Sequence, residues 1–198
     1  MQDLLNFLNR SPSRYHAVDN LCGELEAAGY VRLYEGQYQP IVPGGKYFVT
    51  RGGSALLAFR IPRADFTGFM ISASHSDSPT FRIKENAELE GPETYVRLNT
   101  ERYGGMLCAP WLDRPLTVAG QVMVKQGDDI QEQLVYVDKD LLMIPNVAVH
   151  MNRDANNGFK YDAKCDMVPL MGMGLEKGTF RAAVAQAAGC RPEEILGT

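Results

Sequence analysis

Several things are scarce in this chain of 198 residues, and each scarcity removes a class of function. No uninterrupted apolar run approaches the roughly 18 residues that a bilayer-spanning helix needs. The opening stretch "MQDLLNFLNRSPSRYHAVDN" has neither a basic n-region nor a long apolar core, so a soluble, cytoplasmic protein is expected. Basic excess is missing too: the formal net charge is −4, which offers no positive field for nucleic acid or for an acidic membrane surface. The four cysteines, Cys22, Cys108, Cys165 and Cys190, contain no C-x-x-C pair, which argues for reduced thiols and against a cysteine-built zinc site. Histidine is limited to His16, His75 and His150, so any imidazole metal site must draw on these three and on carboxylates. Internal repeats and low-complexity tracts are also absent.

What remains is an ordinary globular composition, 45% hydrophobic and 22% charged. Leu4, Leu5, Phe7 and Leu8 give residues 2 to 9 a helical pattern. After the "SPS" break, Tyr15, Val18, Leu21, Cys22 and Leu25 repeat at helical spacing, with Ser11 or Ser13 as N-cap and Gly29 as the stop. Short β-type runs follow, "KYFVTR", "SALLAFRI" and "FMISAS", divided by "PGG", "RGG" and "RADFTG". Helices followed by strands suit an α/β or α+β layer in which helices cover one face of a sheet.

Beyond "RIKENAELEGPE" a second strand-rich block is expected in "TYVRLNTERYGG", "LTVAGQVMVKQ", "EQLVYVDKD" and "NVAVHMNR", with "GDD" as a hairpin turn. A domain boundary near Asn86 therefore divides residues 1–86 from 87–198. The loop "LMGMGLEKG" and the helix "TFRAAVAQAAGC" follow. "RPEEILGT" then begins a short turn or helix and stops, a pattern expected of a chain that continues.

The chemistry centres on "SASHSDSP", residues 72 to 79. On an extended segment, His75 and Asp77 share a face because alternate side chains do. One of them could hold a metal ion while the other orients it; equally, an H-x-D pair at a strand end can be no more than a polar turn. The upstream apolar run places His75 at a strand's C-terminal edge, where open α/β sheets bind ligands. His150 alternates with Val147 and Val149, which also suits a histidine with a purely structural place in a strand.

"SHSDSPTFRIKEN" resembles the H-[TS]-D-S-P-x-[LF]-R-[VI]-K signature of the aspartyl aminopeptidase family of cocatalytic zinc aminopeptidases. Further blocks agree in order and spacing: "SPSRYHAVDNLCGELEAAGYVRLYE", "KYFVTRGGSALLAFRIP", "TYVRLNTERYGGMLCAPWLDRPLTVAGQV" and "MIPNVAVHMNR". The resemblance runs over essentially the whole chain. It implies part of an α/β zinc-peptidase catalytic domain followed by an inserted strand-rich dimerisation domain.

Carried over residue by residue, the resemblance makes His75 a zinc ligand and Asp77 the catalytic aspartate that orients a metal ligand. His150, in "AVHMNR", would contact substrate in the active site of a neighbouring subunit. The complete site would hold two zinc ions, with cobalt or manganese as possible replacements, and would remove acidic or neutral N-terminal residues from peptides. Dimers assembling into a dodecamer are implied as well. A bridging aspartate, a glutamate pair that includes the general base, a further carboxylate and a second histidine are expected downstream of residue 198. With His75 and Asp77 supplying at most two of about three protein ligands, the chain alone should bind metal weakly and be inactive.

His16 falls in a helical block and is assigned a structural place. Asp113 and Arg114 are expected to form a structural ion pair, with Gly104 and Gly105 in a turn. Glu193 and Glu194 follow Pro192 at a helix start, where acidic side chains favour the dipole, and are not counted as ligands. The sequence departs from the family pattern at Pro115, where an acidic or amide residue is usual, and at Glu85, where proline is usual. Two other readings stay open: a non-catalytic assembly subunit, and a mononuclear hydrolase using His75, Asp77 and His150 of one chain.

Overall fold

The computed structural model describes residues 1–90 and 94–197. Its contacts divide the chain into two compact units, Met1–Ser78 and Pro79–Thr198.

In the first unit, helices α1 (Gln2–Arg10) and α2 (Arg14–Ala27) form where the apolar spacing places them. Of the two candidate serines it is Ser13 that caps α2: its hydroxyl accepts from the His16 amide at 3.4 Å and pairs with His16 Nδ1 at 2.8 Å. Gly29, at φ +81°, turns the chain out of α2 in the left-handed conformation that a residue with a Cβ adopts only under strain. Strands β1 (Val31–Arg32), β2 (Lys46–Arg51) and β3 (Ala55–Arg60) make a sheet in that order, β1 parallel and β3 antiparallel to β2. Alternation along β2 sends Phe48 towards α2, where it is fully buried with Val18 and Cys22 and flanked by Leu25, Tyr30 and Leu56.

The strand expected at "FMISAS" does not form. Residues 68–74 lie outside any strand, Phe69 is 64% exposed and Ile71 is 85% exposed. An apolar run of this kind is a strand only when neighbours accept and donate along its backbone, and no strand among the described residues pairs with it.

Among the described residues the second unit holds two three-stranded sheets. Strands β4 (Thr80–Glu90), β5 (Tyr95–Tyr103) and β8 (Leu170–Met173) form one, in the order β4-β5-β8. Strands β6 (Leu116–Gln126), β7 (Asp129–Leu142) and β9 (Ile195–Gly197) form the other, in the order β7-β6-β9. Gly127 and Asp128 are the two-residue loop of the β6–β7 hairpin, the turn that "GDD" signalled, and Gly127 supplies the positive φ of +64° that a tight hairpin requires. Helix α3 (Thr179–Ala188) completes this core. Leu98, Val122, Val124, Val135, Val137, Phe180, Val184 and Ile195 are buried together in it.

Three local expectations are corrected here. The stretch read as a separator around Asn86 is strand β4, with its pairing to β5 interrupted between Ile83 and Glu88. Gly91, Pro92 and Glu93 of the same stretch lie outside the described residues. "LMGMGLEKG" begins as strand β8 rather than as a loop. "NVAVHMNR" is not a strand: Pro145 has no N–H to give a ladder, and a turn closed by Met151 N–H donating to Ala148 O at 2.8 Å bends the chain.

Glycine at the N-cap of α3 leaves that end without a capping side chain. Gly178 occupies the position, and Glu88 of β4 acts as the cap from a distance. The Glu88 carboxylate accepts from the amides of Gly178 at 2.5 Å and Phe180 at 2.8 Å. A carboxylate at this end also meets the positive pole of the helix.

Candidate metal centre

Local backbone geometry carries the H-x-D pair. Gly52 and Gly53, at φ +56° and +62°, form the turn between β2 and β3, and the carbonyl of Ser54 just beyond it accepts from the Ser76 hydroxyl at 2.8 Å. That bond anchors the residue between His75 and Asp77 to the first unit's own sheet turn.

His75 Nδ1 lies 2.8 Å from Asp77 Oδ1. An ionised carboxylate can only accept, so the imidazole donates Nδ1–H to Asp77 and turns the lone pair of Nε2 outward. The histidine side chain is 91% exposed, whereas that of Asp77 is 24% exposed. A half-buried carboxylate fixing the tautomer of an accessible imidazole is the arrangement in which histidine ligates zinc. His75 therefore fits one ligand position, through Nε2, with Asp77 behind it. Among the described residues no group of three or more His, Cys, Asp or Glu side chains is gathered for a metal ion.

The other candidate residues belong to other segments of the chain. His150 is exposed, inside the Ala148–Met151 turn of the second unit. His16 is half-buried at the start of α2, where desolvation lowers its pKa and the nearby Asp19 charge partly opposes the shift. That is the structural place expected of it. Glu194 accepts from the Arg191 amide at 2.7 Å and from the Arg191 guanidinium, and these bonds hold its pKa low; both belong to the cap of the Pro192–Glu194 turn.

The ion pair expected between Asp113 and Arg114 is not formed among the described residues. Arg114 donates to the Pro110 carbonyl at 3.1 Å, and Asp113 Oδ1 accepts from the Asn146 amide at 2.7 Å. Adjacent residues in a turn point apart, which the sequence spacing alone could not show. Asp113 also has a φ of +54°, the one positive value among described residues other than glycine.

Comparison with known proteins decides what kind of chain this is. A family model described as aminopeptidase I zinc metalloprotease (M18) matches residues 7–195. The chain belongs to that M18 family. A probable M18 family aminopeptidase 2 of Clostridium novyi (strain NT) is 41% identical over 176 residues, covering 86% of this chain and 40% of the relative. The chain thus spans well under half the length of the M18 relative it matches. Among solved structures, a cryo-EM structure of an Ape4 and Nbr1 complex has a TM-score of 0.91 at 33% identity, covering 98% of this chain and 42% of that one. Chaetomium thermophilum mApe1 has a TM-score of 0.85 at 31% identity, covering 99% of this chain and 48% of that one. The aminopeptidase resemblance carried by the signature is thereby confirmed at the level of the M18 family, and with it the mixed helix and strand fold. Zinc is the metal named in the family's own description. No helix among the described residues is long and apolar enough to cross a membrane.

Proposed function

We propose that this chain provides one portion of the active site of a zinc aminopeptidase that removes acidic or neutral N-terminal residues from peptides. One observation carries the reading: the His75 Nδ1–H bond to Asp77, which holds the imidazole as an acceptor at Nε2. Membership of the M18 family supports the same assignment.

In this reading the N-terminal portion, drawn at residues 1–86 from the sequence and ending at Ser78 by its contacts, contributes to the catalytic domain, and the remainder to a dimerisation domain. His75 is a zinc ligand, Asp77 orients it, and His150 contacts the substrate in a neighbouring subunit. Two metal ions occupy the complete centre, zinc in the first instance, with cobalt or manganese able to replace it. When bound, such ions polarise the scissile carbonyl and bring a bound water's pKa towards neutrality. Asp77 accepts the His75 Nδ1–H, which leaves the Nε2 lone pair directed outward for a metal. The exposure of His75 leaves room for the remaining ligands, which other residues of the complete enzyme supply. A cytoplasmic homo-oligomer, dimers assembling to a dodecamer, accompanies the assignment.

The test is His75→Ala in the complete enzyme, with bound zinc and peptide turnover measured on the same sample. Zinc content and activity should fall together. Full zinc occupancy with full turnover would overturn the assignment.

A further inference from the structure

We propose that Asp113 is a positioning residue for His150, acting through the backbone of the segment that carries it. The proposal rests on the reading of His150 as a substrate-contacting group.

The connection is short and continuous. Ile144 is completely buried with Cys108 and Met167, packed by Trp111 and Leu112, so its place is fixed by the core. From there Asp113 holds the chain at two points. Its amide donates to the Ile144 carbonyl at 2.9 Å, and its Oδ1 accepts from the Asn146 amide at 2.7 Å. Pro145 lies between these two points and has its φ fixed by its ring. Asn146 extends the series, its side-chain oxygen accepting from the Val147 amide at 2.9 Å. The Ala148–Met151 turn comes next, with His150 in it. Leu112 and Ile144 also form an isolated parallel bridge, so the two segments run side by side where Asp113 makes its bonds.

Asp113 makes both bonds from the left-handed region, at φ +54°. Only glycine adopts that region freely, and aspartate and asparagine tolerate it better than other residues do. A residue held there is one whose surroundings over-determine its conformation. The geometry also separates the possible substitutions. Glycine suits the backbone and removes the carboxylate, so Asp113→Gly releases Asn146 without adding strain. Asparagine keeps an acceptor oxygen and tolerates the same φ, so Asp113→Asn preserves the bond.

The experiment uses the complete enzyme and compares Asp113→Gly, Asp113→Asn, His150→Ala and the Asp113→Gly/His150→Ala double variant, with zinc content checked in each. Asp113→Gly should lower kcat/KM about 10-fold, since small misplacements of a substrate-contacting group are costly. Zinc content should not change. Asp113→Asn should stay within about 2-fold of the parent, and in the His150→Ala background Asp113→Gly should have almost no further effect, because the two residues act as one unit. Hydrogen exchange of the peptide spanning residues 145–152 should rise in Asp113→Gly and not in Asp113→Asn. An equal loss in both backgrounds, equal damage from Asn and Gly, or unchanged turnover and exchange would overturn the positioning role while leaving His150 its own. A His150→Ala enzyme with unaltered kinetics would overturn the reading of His150 itself, and the role of Asp113 with it.

Discussion

Glu88 closes the N-terminus of α3 from another element: its Oε1 accepts from the amide of Phe180 at 2.8 Å, across 92 residues of sequence. The bond ties strand β4 to the helix whose Phe180, Val184 and Ala185 fill the core of the second unit. Glu88→Ala removes the acceptor for two half-buried helix amides and should lower stability by about 1–3 kcal/mol. Glu88→Gln, which keeps an oxygen but not the charge, should lose less. Urea unfolding of the two variants against the parent checks this; equal stability of all three would show that water caps the helix as well as Glu88 does.

Asp77 should be felt in metal affinity before it is felt in folding. Loss of a carboxylate that fixes a ligating histidine weakens metal binding by about 10–100-fold. Asp77→Asn in the complete enzyme should therefore show a shifted zinc titration with little change in thermal midpoint. An unshifted titration would mean that Asp77 does not orient the ligand.

His16 makes the first unit sensitive to mild acid. Burial lowers its pKa in the folded protein from the ordinary 6.5, so between that folded value and 6.5 the unfolded chain binds more protons. Stability from this residue is complete above about pH 6.5, declines as pH falls through the window, and levels off below the folded value. Thermal midpoints measured from pH 7.5 to 5 should fall more steeply for the parent than for His16→Gln. Parallel curves would contradict the assignment.

Burial separates two leucines that the sequence presents alike. Leu98 is completely buried between sheet and helix, and Leu98→Ala should cost about 2–5 kcal/mol; Leu57, 59% exposed on β3, should tolerate the same change within about 0.5 kcal/mol. Denaturant midpoints of the two variants measure the contrast.

The elements visible in the sequence are those whose causes are local. Helical spacing, a serine before Arg14, a glycine after Ala28 and "GDD" between two alternating runs act within a few residues, and α1, α2 and the β6–β7 hairpin form as they direct. The failures are long-range. Whether "FMISAS" becomes a strand depends on neighbours, and the fate of "NVAVHMNR" turns on Pro145 and on Asp113, 33 residues upstream of the amide it holds. The same division applies to the site. A two-residue spacing suffices to bring His75 against Asp77, but nothing near Ser76 announces its bond to Ser54, 22 residues away. Glu88 was equally hidden, although a glycine-started helix is a signal that some distant acceptor is needed.

The exposed run from Phe69 to Ile71 has a consequence for handling the protein. It is uncharged, free of proline and rich in strand-forming side chains, with no sheet partner among the described residues. Such a stretch templates identical stretches on other molecules, and gatekeeping charge is what ordinarily prevents this. These three side chains, a few residues upstream of the zinc-ligand candidate, add an unguarded apolar patch to the chain's surface, and Met70→Lys should delay the onset of light scattering with rising concentration.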